Sequence, residues 1–129
     1  MAELVLDASV FGSLFLNEER ADEIHHVVKT HHIYAPSFWK FEVSNAVWKK
    51  KEIHPETSKD IIERIWRFPV YISESKELAV ESLLIARKHG ITFYDSFYIA
   101  IAKILNMPLW TIDNVQARAA GRTGVSLWE

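Results

Sequence analysis

The chain has no cysteine at all. That excludes disulfides, thiolate metal sites and a cysteine nucleophile, and it is consistent with a reducing compartment. Glycine is scarce, with only Gly12, Gly90, Gly121 and Gly124 in 129 residues. There are no low-complexity tracts, no internal repeats and no Gly/Ser linker. A glycine-rich phosphate loop is missing too. No run approaches the roughly 20 apolar residues of a membrane span. The N-terminal Met-Ala-Glu carries no basic stretch, and its apolar run stops at Asp7, short of a secretion signal. Nor is there an excess of positive charge. The balance is −2, from 15 basic and 17 acidic residues, which argues against a protein that coats nucleic acid through overall charge. A local basic rim around an acidic site remains open.

What is present is core. Hydrophobic residues make up 49% of the chain, enough to fold one compact unit over residues 1–129. The expectation is a single domain in the cytoplasm.

Short apolar runs alternate with helical periods. Residues 3–8, 32–35, 70–72, 108–112 and 124–128 read as strands. Helical spacing falls over residues 20–30, from Pro36-Ser37 to about Lys51, from Pro55, over 76–89 up to Gly90, over 95–106, and from Asp113 to Ala120. Strands without polar alternation suit a parallel sheet buried on both faces. The pattern predicts an α/β fold, a three-layer α/β/α sandwich around a mostly parallel sheet.

Four acids stand at places where such folds build sites. Asp7 closes the first strand and Asp113 the strand Leu109–Ile112. Asp95 is expected to precede an apolar helix, and Glu42 lies mid-helix among Phe38, Trp39, Asn45 and Ala46. Capping a helix is a sufficient explanation for each Asp alone. It does not explain Glu42. If the four converge, their mutual repulsion calls for a cation, and oxygen-only ligands favour Mg²⁺ or Mn²⁺. Sites of that kind act on phosphodiesters.

Together the stretches Leu4-Val5-Leu6-Asp7-Ala8-Ser9, Phe41-Glu42-Val43-Ser44-Asn45-Ala46-Val47, Phe93-Tyr94-Asp95-Ser96-Phe97-Tyr98-Ile99-Ala100 and Leu109-Trp110-Thr111-Ile112-Asp113 resemble the four acidic motifs of PIN domains. They are most similar to the VapC-type toxins of toxin–antitoxin pairs, in motif order, spacing and length. The resemblance implies an endoribonuclease using Mg²⁺ or Mn²⁺, with Asp7, Glu42, Asp95 and Asp113 as catalytic metal-site carboxylates. Ser9, Thr111 and Asn45 would support them. It also implies a cognate antitoxin and a homodimer. Some PIN domains carry a further acid shortly after the fourth. Asn114 and Gln116 follow here, so one cation is better founded than two.

Lys40, Arg118 and Arg122 lie near the motifs and are candidate RNA phosphate contacts, whereas Lys49-Lys50-Lys51 reads as a solvated helix end. The pairs His25-His26 and His31-His32 lack the spacing of a chelating pair. Trp39, Trp48, Trp66 and Phe68 leave an apolar face to spare for a partner. The rivals are weaker. A receiver-type phosphoacceptor needs a lysine that residues 109–115 lack. A haloacid-type phosphatase needs an Asp where Ser9 stands. The alternative of another class is a PIN-like module that binds RNA or protein without cutting.

Overall fold

A computed structural model describes residues Met1–Glu129. Four parallel strands, β1 (Ala2–Leu6), β2 (His31–Ala35), β3 (Tyr71–Ile72) and β4 (Leu109–Trp110), form one sheet in the order β3-β2-β1-β4. Leu4 pairs with Ile33, and Leu6 with Trp110. Leu4, Val5 and Leu6 are all fully buried, so side chains on both faces of β1 meet core, as its unbroken apolar run requires.

Seven helices flank the sheet. They are α1 (Ala8–Leu16), α2 (Ala21–Val28), α3 (Trp39–Lys49), α4 (Pro55–Arg67), α5 (Lys76–His89), α6 (Phe93–Leu105) and α7 (Asn114–Arg122). Helices α1 to α4 pack on one another, while α5 packs on α6 and α6 lies across β1, β2 and β4. On the first side Phe11 stacks on Trp39 at 4.1 Å, and Phe68 meets both rings edge-on. No helix is long and apolar enough to cross a membrane.

Local chemistry sets several boundaries. Ser75 caps α5 by accepting the Leu78 N–H, and Gly90 ends that helix in the left-handed region at φ 67°. Three expectations shift. Helix α3 starts at Trp39 behind Phe38 without a side-chain cap, so Ser37 lies outside it, with its N–H donating to Oε1 of Glu74 at 2.7 Å. Helix α6 begins at Phe93, two residues before Asp95, because the Thr92 hydroxyl takes the cap. Strand β4 ends at Trp110, and residues 124–128 contribute one bridge, Leu109 with Leu127, in place of a full strand.

The strand order creates the crevice. From β1 the chain steps to β2 and β3 on one side, then returns to place β4 on the other. Sites in open α/β sheets form at such a reversal, beyond the carboxyl ends of the strands. Here those ends are Leu6 and Trp110, and Asp7 and Thr111 come next.

Candidate functional site

Asp7 follows β1 directly, and its N–H donates to the Trp110 carbonyl at 3.2 Å, which ties it to the end of β4. Its side chain caps α1. Oδ1 accepts the Ser9 N–H at 3.1 Å, the Val10 N–H at 3.3 Å and the Ser9 hydroxyl at 2.6 Å. The residue is only 4% exposed. Burial raises its pKa to about 6, against the pull of the Ser9 and Thr111 hydroxyls and the two N–H donors. A cap needs no burial, so capping alone does not account for where Asp7 sits.

Ser9 links the two strand ends. Its Oγ accepts the Ile112 N–H at 3.0 Å and lies 3.4 Å from Oγ1 of Thr111. Thr111 in turn accepts the Asp113 N–H at 3.1 Å. Ser9 and Thr111 thus form a chain of contacts between Asp7 and the backbone of Asp113. Asn45 is exposed on α3 and stands outside this network.

Glu42 reaches the site from α3. Phe38, one turn earlier, packs edge-on against Tyr94, Phe97 and Tyr98 of α6, and so docks the start of α3 on the first turns of α6. The half-buried Glu42 then meets Tyr98, whose hydroxyl donates to Oε1 at 2.6 Å. Burial pushes the Glu42 carboxyl up, the Tyr98 bond holds it down, and the negative charge of Asp95 pushes it further up. Asp95 and Tyr98, three residues apart, share a face of α6. The Tyr98 phenol is held well above its ordinary range by burial first, and then by the charges of Glu42, Asp7 and Asp95. Three of the four acids thus act on one buried hydroxyl.

Asp95 is not a cap. Its N–H donates to Thr92 Oγ1 at 3.0 Å, leaving the carboxylate free of that duty. Asp113 does cap α7, accepting the Val115 and Gln116 N–H groups at 2.8 and 3.2 Å, and it is exposed. The buried Gln116 joins the two acids. Its backbone donates to Asp113, and its Nε2 donates to the Asp95 carbonyl at 2.8 Å. Tyr98 and Gln116 are contacts that sequence reading missed. Each partner lies on another helix, and the only local hint is a polar tip inside an apolar run.

No three carboxylate, imidazole or thiol groups stand close enough here to make a ready-formed metal cage. The donor chemistry nonetheless suits a hard cation. The groups are oxygen-only, and two of the carboxyls are held above their ordinary range in a way that a positive charge would relieve.

The candidate phosphate contacts divide. Lys40 is drawn to α4, its Nζ 5.4 Å over the Trp66 ring and 3.5 Å from the Trp66 carbonyl. Arg122 borders a separate groove with Glu81 and Lys103. Arg118 is exposed on α7. A groove of about 640 Å³ beside Ser9 and Asp113 is instead lined by Lys49 and Lys50, the helix end read as merely solvated. Lys50 is paired there with Glu18 at 2.8 Å.

Comparison with known proteins agrees with this layout. The chain is 27% identical to Ribonuclease VapC3 of Pyrobaculum aerophilum over 117 residues, covering 86% of this chain and 89% of that protein. Among solved structures, PAE2754 of Pyrobaculum aerophilum superposes with a TM-score of 0.68 at 20% identity, over 95% of this chain and 97% of the other. A chain of VapBC2 from Rickettsia felis, solved bound to a DNA fragment from their promoter, gives 0.69 at 14% identity, over 98% and 99%. These two likenesses establish the α/β/α fold. A family model of the PIN domain matches residues 4–122, a span that contains all four acids, and the chain belongs to the PIN domain family.

Proposed function

We propose that this protein is a metal-dependent endoribonuclease, the toxin of a toxin–antitoxin pair, and that residues 1–129 form one catalytic domain. The observation that carries the proposal is Asp7 buried at the reversal point of the sheet, with half-buried Glu42 tied through the Tyr98 hydroxyl to α6, the helix that bears Asp95. The similarity to a ribonuclease of the same family supports RNA as the substrate.

Asp7, Glu42 and Asp95 would hold Mg²⁺ or Mn²⁺, with Asp113 completing the set across the Ser9–Thr111 link. When bound, such a cation supplies positive charge at the scissile phosphate and acidifies water beside it. The protein supplies the rest. Ser9 fixes one oxygen of Asp7, Tyr98 fixes one oxygen of Glu42, and Gln116 ties the backbone of Asp95 to the start of α7.

The partner reading rests on exposed aromatic surface. Of the expected face, Trp39 is fully buried and Phe68 packs against the core, because both pack on Phe11, whereas Trp48 and Trp66, joined by Phe41, are 64, 45 and 68% exposed, more apolar surface than a lone chain needs. A cognate antitoxin and a second copy of the chain are its proposed occupants, and the cytoplasm is its proposed location.

Incubation with structured RNA and Mg²⁺ or Mn²⁺, against EDTA and Asp7→Asn controls, tests the enzyme. Endonucleolytic fragments are expected only with metal and wild-type protein. Cleavage that persists in EDTA overturns the mechanism. RNA bound but uncut under every condition favours a binding module.

A further inference from the structure

Tyr98 is fully buried in the middle of α6, and its ring packs against Phe38. Core contact explains the ring but not the hydroxyl. A phenylalanine would fill the same space without carrying a polar atom inside. The hydroxyl donates at 2.6 Å to a carboxylate 56 residues away in sequence. It feels the charges of Asp7 and Asp95 as well. The phenol thus ties Glu42 of α3 to α6, the helix that bears Asp95.

Resting on the reading above, we infer that Tyr98 is a positioning residue that sets the geometry of Glu42 for the cation. A phenol has one proton to donate, and here it goes to Oε1. With Oε1 engaged, rotation of the carboxylate is restricted, and Oε2 would be the oxygen left for a metal. Glu42 has no other hydrogen bond to orient it, in contrast to Asp7, which has three donors of its own. Hydrogen-bond partners of metal ligands that fix ligand orientation typically account for roughly 10–100-fold in metal affinity or activity.

Tyr98→Phe removes only the hydroxyl. The expected result is Mn²⁺ binding weakened by roughly 10–100-fold, read by calorimetric titration or by the free Mn²⁺ spin-resonance signal. The turnover rate on RNA falls comparably while KM for RNA holds. In a Glu42→Gln background the same change has no further effect on either quantity, because its action runs through Glu42. A purely structural role gives another pattern, in which the melting temperature drops and the loss persists in that background. Wild-type Mn²⁺ affinity and turnover in a folded Tyr98→Phe protein overturn the inference. A wild-type measurement stands beside the variant in case Tyr98→Phe does not fold. Bound Mn²⁺ must broaden the ring resonances of Tyr98 before those of Tyr34 and Tyr71, which lie on β2 and β3. Failure to broaden them overturns the inference equally. If the wild-type protein neither binds Mn²⁺ nor cuts RNA, the enzymatic reading falls and takes this inference with it. If it does both and Tyr98 proves indifferent, only the inference falls.

Discussion

The hydroxyl of Ser9 stands 2.6 Å from Oδ1 of Asp7 while accepting the backbone N–H of Ile112 at 3.0 Å. One side chain thereby joins the ends of the two strands between which the sheet reverses. Ser9→Ala removes the shortest bond to Asp7 and leaves a part-buried N–H without its acceptor. The expected loss of stability is about 1–3 kcal/mol, read from chemical denaturation. The rate of RNA cleavage is expected to fall by about tenfold or more. Ser9→Thr keeps the oxygen and is expected to keep most of the activity. Equal damage from both substitutions would show that bulk at this position matters more than the hydroxyl.

The raised pKa of Asp7 has a sign that stability measurements can read. Its folded value is about 6 against an ordinary 3.8. Between these values the folded chain keeps a proton that the unfolded chain has released. The contribution of Asp7 is therefore most favourable below about pH 4 and is lost as pH rises to about 6. The loss is on the order of 3 kcal/mol. Measured in EDTA, wild-type protein is expected to lose stability relative to Asp7→Asn across that window. Glu42 adds in the same direction. Parallel pH curves for the two proteins would remove the burial argument for Asp7.

Much of this was legible in sequence because the signals were local. An apolar run ended by Asp7, a Gly90 stop and a Pro55 start each act within one turn of chain. Helix α5 ends where the Gly90 stop placed it. The misjudged ends were decided at a distance. Ser37 lies outside α3, and its N–H is bonded to Glu74, 37 residues on. Asp95 alone was expected to cap α6, whereas the Thr92 hydroxyl takes the cap and leaves the Asp95 carboxylate out of it. The acids could be picked out by type and position. Their mutual geometry could not, because it depends on how Phe38 seats α3 against α6 and on the Tyr98–Glu42 bond between those helices.

Asp113 caps α7, and substitution separates that duty from its proposed place in the metal site. As a cap it accepts two N–H groups of α7. Asn caps as well as Asp, whereas Ala typically loses about 0.5–2 kcal/mol. Asp113→Asn is expected to melt near wild type and Asp113→Ala distinctly below it. If the carboxylate also serves the metal site, both variants lose cleavage, and the Asn variant loses it without unfolding. Full activity in Asp113→Asn would restrict this residue to its cap and reduce the acid set to three.

The groove beside Asp113 gives the remaining prediction. Lys50 on its wall is paired with Glu18, which leaves Lys49 as the cation there without an ion pair. A phosphate chain running from the acids along this groove would meet Lys49 first. A lost contact to single-stranded nucleic acid lowers the slope of log affinity against log salt by roughly 0.7. With Asp7→Asn as the background, so that substrate stays intact, Lys49→Ala is expected to reduce RNA affinity and that slope by about this amount. Arg122 borders a different groove with Glu81 and Lys103, and Arg122→Ala is expected to leave the slope unchanged. The reverse pattern would route the RNA over α7 and α5, and Lys49 would return to being a solvated helix end.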